Sequence, residues 1–421
     1  MKYSRPRGTR DILGNDMEVW KRVEKQLAAI MEGYGYHEIR TPIFEESDLF
    51  IRSVGETSDI VSKEMYTFSD RKGRSLTLRP ENTAPVMRAY LENGLQREGG
   101  ITKFYYIGPM FRYDKPQAGR YRQFHQIGAE AIGSSNPVVD AEIIDISIRL
   151  HREIGLDSLT VRLNSVGCLE CRNSFLGILR KELELHRDQL CEDCKIRAEA
   201  NPLRVLDCKN CVDLRVELPV ITDYICDRCR EHFDTLTGIL QGMNIDYELD
   251  PYLVRGLDYY TRTAYEIIHS ELGAQNALCG GGRYDGLAEE LGGGSIPAVG
   301  FSAGLERMVE VLDQSRLRSG TGPVRVYFVV FNSACSVPAM LMAGELRENG
   351  VESSVDLSLR NVKKQLRTAS REGYDYAVFM GDNELEAKEA VVKDLKQGTQ
   401  ENVSFERISE YFDKEGVEEV D

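Results

Sequence analysis

Apolar positions in the first part of the chain recur at helical spacing. Trp20, Val23, Leu27 and Ile30 fall on one face of a predicted helix, which Asp16 is placed to cap and which Gly33 and Gly35 end near Tyr34. The run YHEIRTPIFEESDLF is extended but broken by Pro42. Proline has no amide to donate, so this strand is expected at a sheet edge or at an irregular junction, and such an edge is open to dimerisation. SLTLRPENTAPVMRAYLEN reads as strand, turn and helix, with Leu76 and Leu78 apolar and Pro80 to Thr83 at the junction. The helix, from about Ala84, leaves the amides of its first turn open to a partner. Glu81 there is either favourable charge near a helix start or a ligand-binding group.

Between Gly108 and Gly133, GPMFRYDKPQAGRYRQFHQIGAEAIG reads as strand, polar loop and strand, with Pro116, Gly119 and several cations in the loop. Side chains alternate along a strand. Arg122, Phe124, Gln126, Gly128 and Glu130 therefore share one face, and Ile127, Ala129 and Ala131 share the other, which suits a core. The first face lines up a ring, an amide, a gap and a carboxylate. It suits a pocket for a small polar molecule, with Arg112 on the partner strand supplying positive charge; a solvated hairpin would show similar alternation.

Further along, Ala141–Ile154 is predicted as an amphipathic helix and Leu159–Leu163 as a strand. A charged, helical, cysteine-rich stretch then fills about Val166–Gln241. LVRGLDYYTRTAYEII passes from polar loop to strand, ALCGGGRYDGLAEELGGG holds a short helix between glycines, and AVGFSAGLERMVEVL is a strand running into a helix. Asp313–Pro323 is the best linker candidate. Beyond it VRVYFVVF, VESSVDL and DYAVFMGD alternate with helical segments, as in a small α/β domain with a mainly parallel sheet. The acidic ERISEYFDKEGVEEVD is expected to be a solvated helix end.

Composition narrows the class. A chain of 421 residues suits two to three domains of about 150 residues each. Its 42% hydrophobic share is enough for real cores. No apolar run is long enough to span a bilayer, and MKYSRPRGTRD does not read as a signal peptide, so the expected location is the cytoplasm, with no membrane partner. The net charge of -15 argues against polyanion binding by the whole surface but allows a local basic strip. Eight of the ten cysteines form four CxxC pairs: Cys168/Cys171, Cys191/Cys194, Cys208/Cys211 and Cys226/Cys229. Without a secretory signal, this favours metal over disulfides, and four such pairs can make two tetrahedral four-thiolate zinc sites of structural type. Reduced thiols without metal are the alternative, and spacing does not fix how the pairs combine. Cys279 and Cys335 read as small buried residues.

At this point several motifs converge. TPIFEE, the hairpin with FRYDKPQAGRYRQF, and GLER resemble the three signature motifs of class II aminoacyl-tRNA synthetases, and VRGLDYYTRT and GGGRYDGL resemble two motifs of the histidyl-tRNA synthetase family. The resemblance runs from about Arg7 to Phe412. It implies an α+β catalytic domain built on an antiparallel class II sheet (residues 1–165 and 242–318), a helical cysteine-rich insertion (166–241) and a C-terminal α/β anticodon-binding domain (323–421). It also implies a homodimer joined through the first motif, which fits the edge reading of Pro42.

The activity implied is attack of histidine's carboxylate on the α-phosphate of ATP, then transfer of histidine to the 3′ end of tRNA(His). Bringing two anions together calls for fixed positive charge. By resemblance, Arg112 holds the α-phosphate, Arg255 bridges the histidine carboxylate and α-phosphate, Arg307 holds the outer phosphate and Phe124 stacks on adenine. Glu81, Thr83 and Gln126 match positions around the histidine amino group, and Glu130, Tyr259 and Tyr260 match those around its ring. Gly280, Gly281 and Gly282 look like a backbone floor, although alone they would mean only a turn. Magnesium is expected on the phosphates. Lys115, Arg120 and Arg122 are candidates for the tRNA acceptor end, and the basic RNVKKQLRTASREG for tRNA phosphate or a solvated face. The sequence departs from the family's usual glycine at Asn82 and usual glutamate at Asp114; asparagine tolerates special backbone angles, whereas the shorter Asp114 weakens the case for a nucleotide contact there. A non-catalytic histidine-binding paralogue that regulates a biosynthetic enzyme is the alternative of another class; such proteins tend to lack the equivalent of Arg255 and the last domain, both present here.

Overall fold

A computed structural model describes residues 3–55, 58–115, 120–269, 277–312, 324–357 and 360–415. The linker candidate 313–323, the loop residues Pro116 and Gly119, and the acidic end from 416 lie outside the described residues. The chain divides into two compact units, Met1–Leu317 and Arg318–Asp421.

The first unit opens with helix α1 (Asn15–Gly33), which buries Trp20, Val23, Leu27 and Met31. Its cap is Gly14 with no side-chain bond, so Asp16 is not the cap: it lies inside the first turn, where its charge meets the positive helix end. Strands β1 (His37–Glu38) and β2 (Phe44–Glu46) then flank Pro42, and each is the edge of a different sheet. Proline separates two edge strands here, as its missing donor requires. Helix α2 (Ser47–Val54) and strands β3 (Tyr66–Ser69) and β4 (Ser75–Leu78) follow, with β2, β4 and β3 forming a small antiparallel sheet.

Helix α3 (Thr83–Glu92) leads to β5 (Thr102–Phe111) and β6 (Gln123–Ile132), the two arms of the expected hairpin. Helix α4 spans Pro137–Glu153, earlier than periodicity suggested, because the Asn136 side chain accepts from the Val138 amide and proline suits the first helical position. Strand β7 (Leu159–Ser165) enters the cysteine-rich helices α5 (Leu169–Leu185), α6 (Glu192–Ala200), α7 (Val212–Arg215) and α8 (Asp227–Gly242). The chain returns through β8 (Tyr247–Leu249), β9 (Thr261–His269), β10 (Ala277–Arg283), α9 (Leu287–Glu290), β11 (Ala298–Gly304) and α10 (Leu305–Glu310).

The main sheet has the order β1-β5-β6-β11-β10-β9-β7-β8. Its six central strands pair antiparallel, and β1 and β8 join parallel at the two edges. One face packs Ile127, Ala129, Ala131, Val299, Phe301 and Ala303 against α1 and α4, as alternation along β6 predicted. The cysteine-rich helices bury a cluster of their own around Phe175, Leu179, Leu206 and Ile221. Helix α8 serves both regions: it starts at Cys226 and Cys229 and ends by burying Leu236 and Leu240 in the main core.

In the second unit, β12 (Arg325–Val330), α11 (Ser336–Glu348), β13 (Glu352–Val355), α12 (Val362–Arg371) and β14 (Tyr376–Met380) alternate as expected. Strands β13, β12 and β14 are parallel. After α13 (Asp382–Ala387) the sheet is extended antiparallel by β15 (Glu389–Asp394) and β16 (Gln400–Ser404), and α14 (Ile408–Glu415) follows. The expectation of a mainly parallel sheet thus holds for three strands of five. The strands of this hairpin carry polar or charged side chains at seven of eleven positions and bury only Ala390, Val392 and Val403, too weak an alternation to read.

One fully buried arginine ties α4, α8 and β10 together. Arg283 donates to Asp140 at 2.6 and 2.9 Å, to the carbonyls of Ser134 and Asn136, and to Asp285, and His232 of α8 lies 3.2 Å from its Nε. The Arg283 and Asp140 side chains are both completely buried. Removing one partner strands the other's charge, which costs about 3–5 kcal/mol. Arg283→Met is therefore expected to lower unfolding stability by about that amount in denaturant melts; a loss below about 1 kcal/mol would contradict the account.

Candidate active site

The hairpin face, α3 and the 255–260 loop meet over the main sheet, on the side away from α1 and α4. A cleft of about 450 Å³ is lined by six of the candidates: Arg112, Phe124, Gln126, Arg255, Tyr260 and Arg307. Glu81, Thr83, Glu130 and Tyr259 form a buried layer beside it.

Glu130 sits at the centre of that layer. It accepts from Thr83 Oγ1 at 2.8 Å, from Tyr106 at 3.3 Å and from Tyr284 through a short contact. Register explains the room it has. Gly300 of β11 pairs with Glu130, and a Cβ there would lie 1.8 Å from the carboxylate. Gly128 faces Tyr106 across the hairpin, where a Cβ would lie 2.3 Å from the hydroxyl. The gap read on the hairpin face is thus filled by Tyr106. Tyr106 and Tyr284 escaped the sequence reading. A glycine opposite an aromatic in a hairpin register is the signal for Tyr106; Tyr284 stands inside GGGRYDGL.

Glu81 accepts the amides of Thr83 at 2.6 Å and Ala84 at 3.1 Å, so it does serve the start of α3. Burial raises the pKa of its carboxyl. Asn82 has an ordinary φ of −122°, so no special angle is needed there; its side-chain oxygen accepts from Thr41 and Arg79 instead. Gln126 Nε2 reaches Ser302 at 3.4 Å, while its buried Oε1 has no partner among the described residues.

The three arginines come from three directions. Arg112, just past β5, donates to the Pro80 carbonyl at 2.8 Å, and its guanidinium lies 5.3 Å from the Phe124 ring centroid. Arg255 forms a close ion pair with Glu266 of β9 and lies over Gly280, where a Cβ would come within 1.9 Å. Burial opposes its charge, but Glu266 leaves its pKa above the usual value. Arg307 donates to the Ala277 carbonyl at 2.6 Å. Gly280, Gly281 and Gly282 lie within strand β10, so the turn that they alone would suggest is wrong: Gly280 makes room for Arg255, and Gly281 for the close approach of Gly300. Glu306, beside Arg307, accepts from the His125 amide at 2.8 Å and faces its Nδ1 at 3.0 Å, locking α10 to β6. The loop cations are engaged locally: Arg120 pairs with Asp114 at 3.0 Å, and Arg122 stacks on Tyr113 at 3.8 Å.

The eight paired cysteines gather into two groups, Cys168/Cys171/Cys226/Cys229 and Cys191/Cys194/Cys208/Cys211, with all sulfurs of each group within 4.8 Å of one another. Spacing alone left this combination open. Cys168, Cys191 and Cys226 each stand at a helix N-cap, and the Cys226 and Cys191 amides point at the sulfurs of Cys171 and Cys211. All eight are free thiols. A tetrahedral zinc with bonds of about 2.3 Å spaces its sulfurs about 3.8 Å apart, so each group fits a four-thiolate ion.

An antiparallel sheet with arginines converging on one cleft, and a separate α/β unit, define a class II aminoacyl-tRNA synthetase fold. A histidyl-tRNA synthetase model matches residues 8–184 and 219–308, and an anticodon-binding-domain model matches 325–415. The chain is 46% identical over 98% of its length to the whole histidine–tRNA ligase of Halothermothrix orenii. It is 47% identical over 96% of its length to 97% of that of Caldanaerobacter subterraneus subsp. tengcongensis. The crystal structure of apo S. aureus histidyl-tRNA synthetase matches with a TM-score of 0.81 and 37% identity, covering 97% of this chain and 99% of that one. The chain belongs to the histidyl-tRNA synthetase family.

Burial pushes the Glu130 carboxyl up to about 8 despite three hydroxyl donors, whereas the unfolded chain releases that proton near 4.5. The stability carried by the neutral carboxyl is fully present below pH 4.5 and is lost as pH rises through 8. Glu130→Gln keeps the site neutral. Its melting stability is expected to gain on wild type from pH 5 to 8, by up to about 1.4 kcal/mol per pH unit, and to level off above. A pH-independent difference in thermal melts would refute this.

Proposed function

We propose that this chain is an ATP-dependent histidine–tRNA ligase working in the cytoplasm as a homodimer. The observation that carries this reading is the convergence of three arginines on one cleft, beside a buried, hydroxyl-surrounded carboxyl group, in a family member that keeps its anticodon-binding domain. The regulatory paralogue is disfavoured because Arg255 and the last domain are both present. The functional division is a catalytic domain (1–165 and 242–318), an insertion (166–241) and an anticodon-binding domain (323–421).

In the first step, histidine's carboxylate attacks the α-phosphate of ATP and pyrophosphate leaves. Arg112 holds the α-phosphate, and Arg255 bridges it to the histidine carboxylate, so the two anions meet between fixed charges. Positioning and charge suffice; no protein group need take a proton in this step. Arg307 holds the outer phosphate and Phe124 stacks on adenine. Glu81, Thr83 and Gln126 receive the amino group, for which the Gln126 Oε1 supplies an acceptor. Glu130, Tyr259 and Tyr260 select the ring, because a ligand without its hydrogen-bonding groups would forgo the partners that these polar side chains offer. Magnesium on the phosphates would neutralise developing charge, and Glu64, on the cleft wall with Arg112, is a carboxylate that would hold it. In the second step the 3′-terminal ribose hydroxyl of tRNA(His) takes the histidyl group and AMP leaves. Lys115, Arg120 and Arg122 meet the acceptor end. Helix α12, with Lys363, Lys364, Arg367 and Arg371 exposed, tracks tRNA phosphate. Dimerisation uses the edges at β1 and β2, where Ile43 and Phe44 are exposed.

Zinc in both cysteine groups supplies the folding energy that a small, charged insertion lacks. Histidine-dependent exchange of pyrophosphate into ATP tests the activity. Wild type is expected to exchange, and Arg255→Ala to lose at least about 100-fold. Absence of exchange by wild type would sink the enzyme reading. Metal analysis of protein purified under reducing conditions is expected to find two zinc ions per chain, and their absence would defeat the structural-zinc reading.

A further inference from the structure

The loop from Arg255 to Tyr260 carries three of the candidate site residues, yet it has little regular backbone bonding of its own. The Asp258 amide donates to the Val54 carbonyl at 3.2 Å, Arg255 pairs with Glu266, and Tyr259 packs on Tyr284; the other polar contacts to the loop come from the cysteine-rich helices. Arg172, next to Cys171 in the first turn of α5, donates through one nitrogen to the carbonyls of Asp258 at 2.7 Å and Tyr260 at 2.8 Å. Asn201, just past α6, donates to the Asp258 carboxylate at 2.9 Å. Arg204 packs against Gly256, where a Cβ would lie 2.8 Å from its Nη1. At the far end of the loop, the Val166 amide donates to the Arg262 carbonyl and the Arg262 amide to the Gly167 carbonyl, both at 2.7 Å. Arg262 adopts a left-handed φ of 51°, a conformation that non-glycine residues hold only when their surroundings enforce it.

The Arg172, Val166 and Arg262 contacts converge on the first cysteine group, while Asn201 and Arg204 stand between Cys194 and Cys208 of the second. Gly167, Cys168, Cys171 and Arg172 are consecutive or one turn apart, and a Cβ on Gly167 would lie 2.6 Å from that of Cys171. Fixing the sulfurs fixes the first turn of α5, and with it the Arg172 guanidinium under two loop carbonyls. We propose that the two cysteine groups brace the substrate loop, the first through Arg172 and the second through Asn201, as positioning residues that hold Tyr259, Tyr260 and Arg255 in the shape that receives histidine. Neither residue need touch the substrate; both act through the backbone and side chain of Asp258 and the carbonyl of Tyr260. The insertion is then part of amino-acid selection. This rests on the roles proposed above for Tyr259, Tyr260 and Arg255.

The test uses full-length, metal-loaded Arg172→Ala, Asn201→Ala and Arg172→Lys, with zinc content and melting midpoint measured for each. In pyrophosphate exchange, Arg172→Ala is expected to raise the histidine KM at least tenfold while the ATP KM stays within twofold. Asn201→Ala is expected to shift histidine KM in the same direction by less, and Arg172→Lys, which keeps a donor, to fall between wild type and alanine. Calorimetric titration with histidine alone should show the same ranking of Kd. Because it needs no turnover, it tests the brace even if wild type fails to exchange, which would strike at the proposed activity instead. A histidine Kd within twofold of wild type in Arg172→Ala would overturn the brace. So would parallel losses for ATP and histidine, or loss of zinc from the variant, since either would make the effect general unfolding.

Discussion

A carboxylate in the middle of a sheet has to be given both space and donors, and the main sheet is arranged around that requirement at Glu130. Burial disfavours its charge strongly enough to move its pKa to about 8. Three hydroxyls, from Thr83, Tyr106 and Tyr284, offset part of that cost. They arrive from α3, β5 and the end of β10, so satisfying one group draws three elements together. The space comes from glycines at facing positions, Gly300 against the carboxylate and Gly128 against Tyr106. Methyl groups there would collide at 1.8 and 2.3 Å, and the carboxylate or the tyrosine would have to leave. The same rule holds next door, where Gly280 admits Arg255 and Glu266 balances its charge.

Glu81 shows that a structural and a ligand role need not compete. Its two oxygens already accept the amides that open α3. A carboxylate has about four lone-pair sites, so both oxygens can still receive a substrate ammonium without releasing the helix. Anchoring the group in this way also fixes its direction before substrate arrives, which lowers the ordering cost on binding. With the amino-group role proposed for Glu81, the helix start and that site are one device.

Much of this was legible in the chain, for identifiable reasons. Strict alternation along β6 separated the core face of Ile127, Ala129 and Ala131 from the site face, because a strand has only two faces. CxxC spacing gave the thiol chemistry but not its combination, since that depends on which helix ends meet. Tyr106 and Tyr284 were missed because an isolated tyrosine in an apolar strand looks like core; only the register, which opposes Tyr106 to Gly128, gives it a partner. The hairpin β15–β16 was missed because polar or charged side chains fill seven of its eleven strand positions, leaving three buried residues to mark it. Asp16 was misread as a cap because a favourable charge inside a first turn and a capping side chain look alike in sequence.

The chain's net charge of -15 and its polyanionic substrates are reconciled by where the cations sit. Arg112, Arg255 and Arg307 are held inside a cleft with low-dielectric walls, where a guanidinium acts on phosphate with little screening. Each is fixed by a carbonyl or a carboxylate: Pro80 for Arg112, Glu266 for Arg255, Ala277 for Arg307. An acidic exterior then repels polyanions everywhere except at such enclosed cations and at exposed basic elements such as α12, so affinity is confined to the places where register matters. Charge on the outside supplies selectivity, and charge on the inside supplies chemistry. The two can have opposite sign because burial, rather than distance alone, separates them.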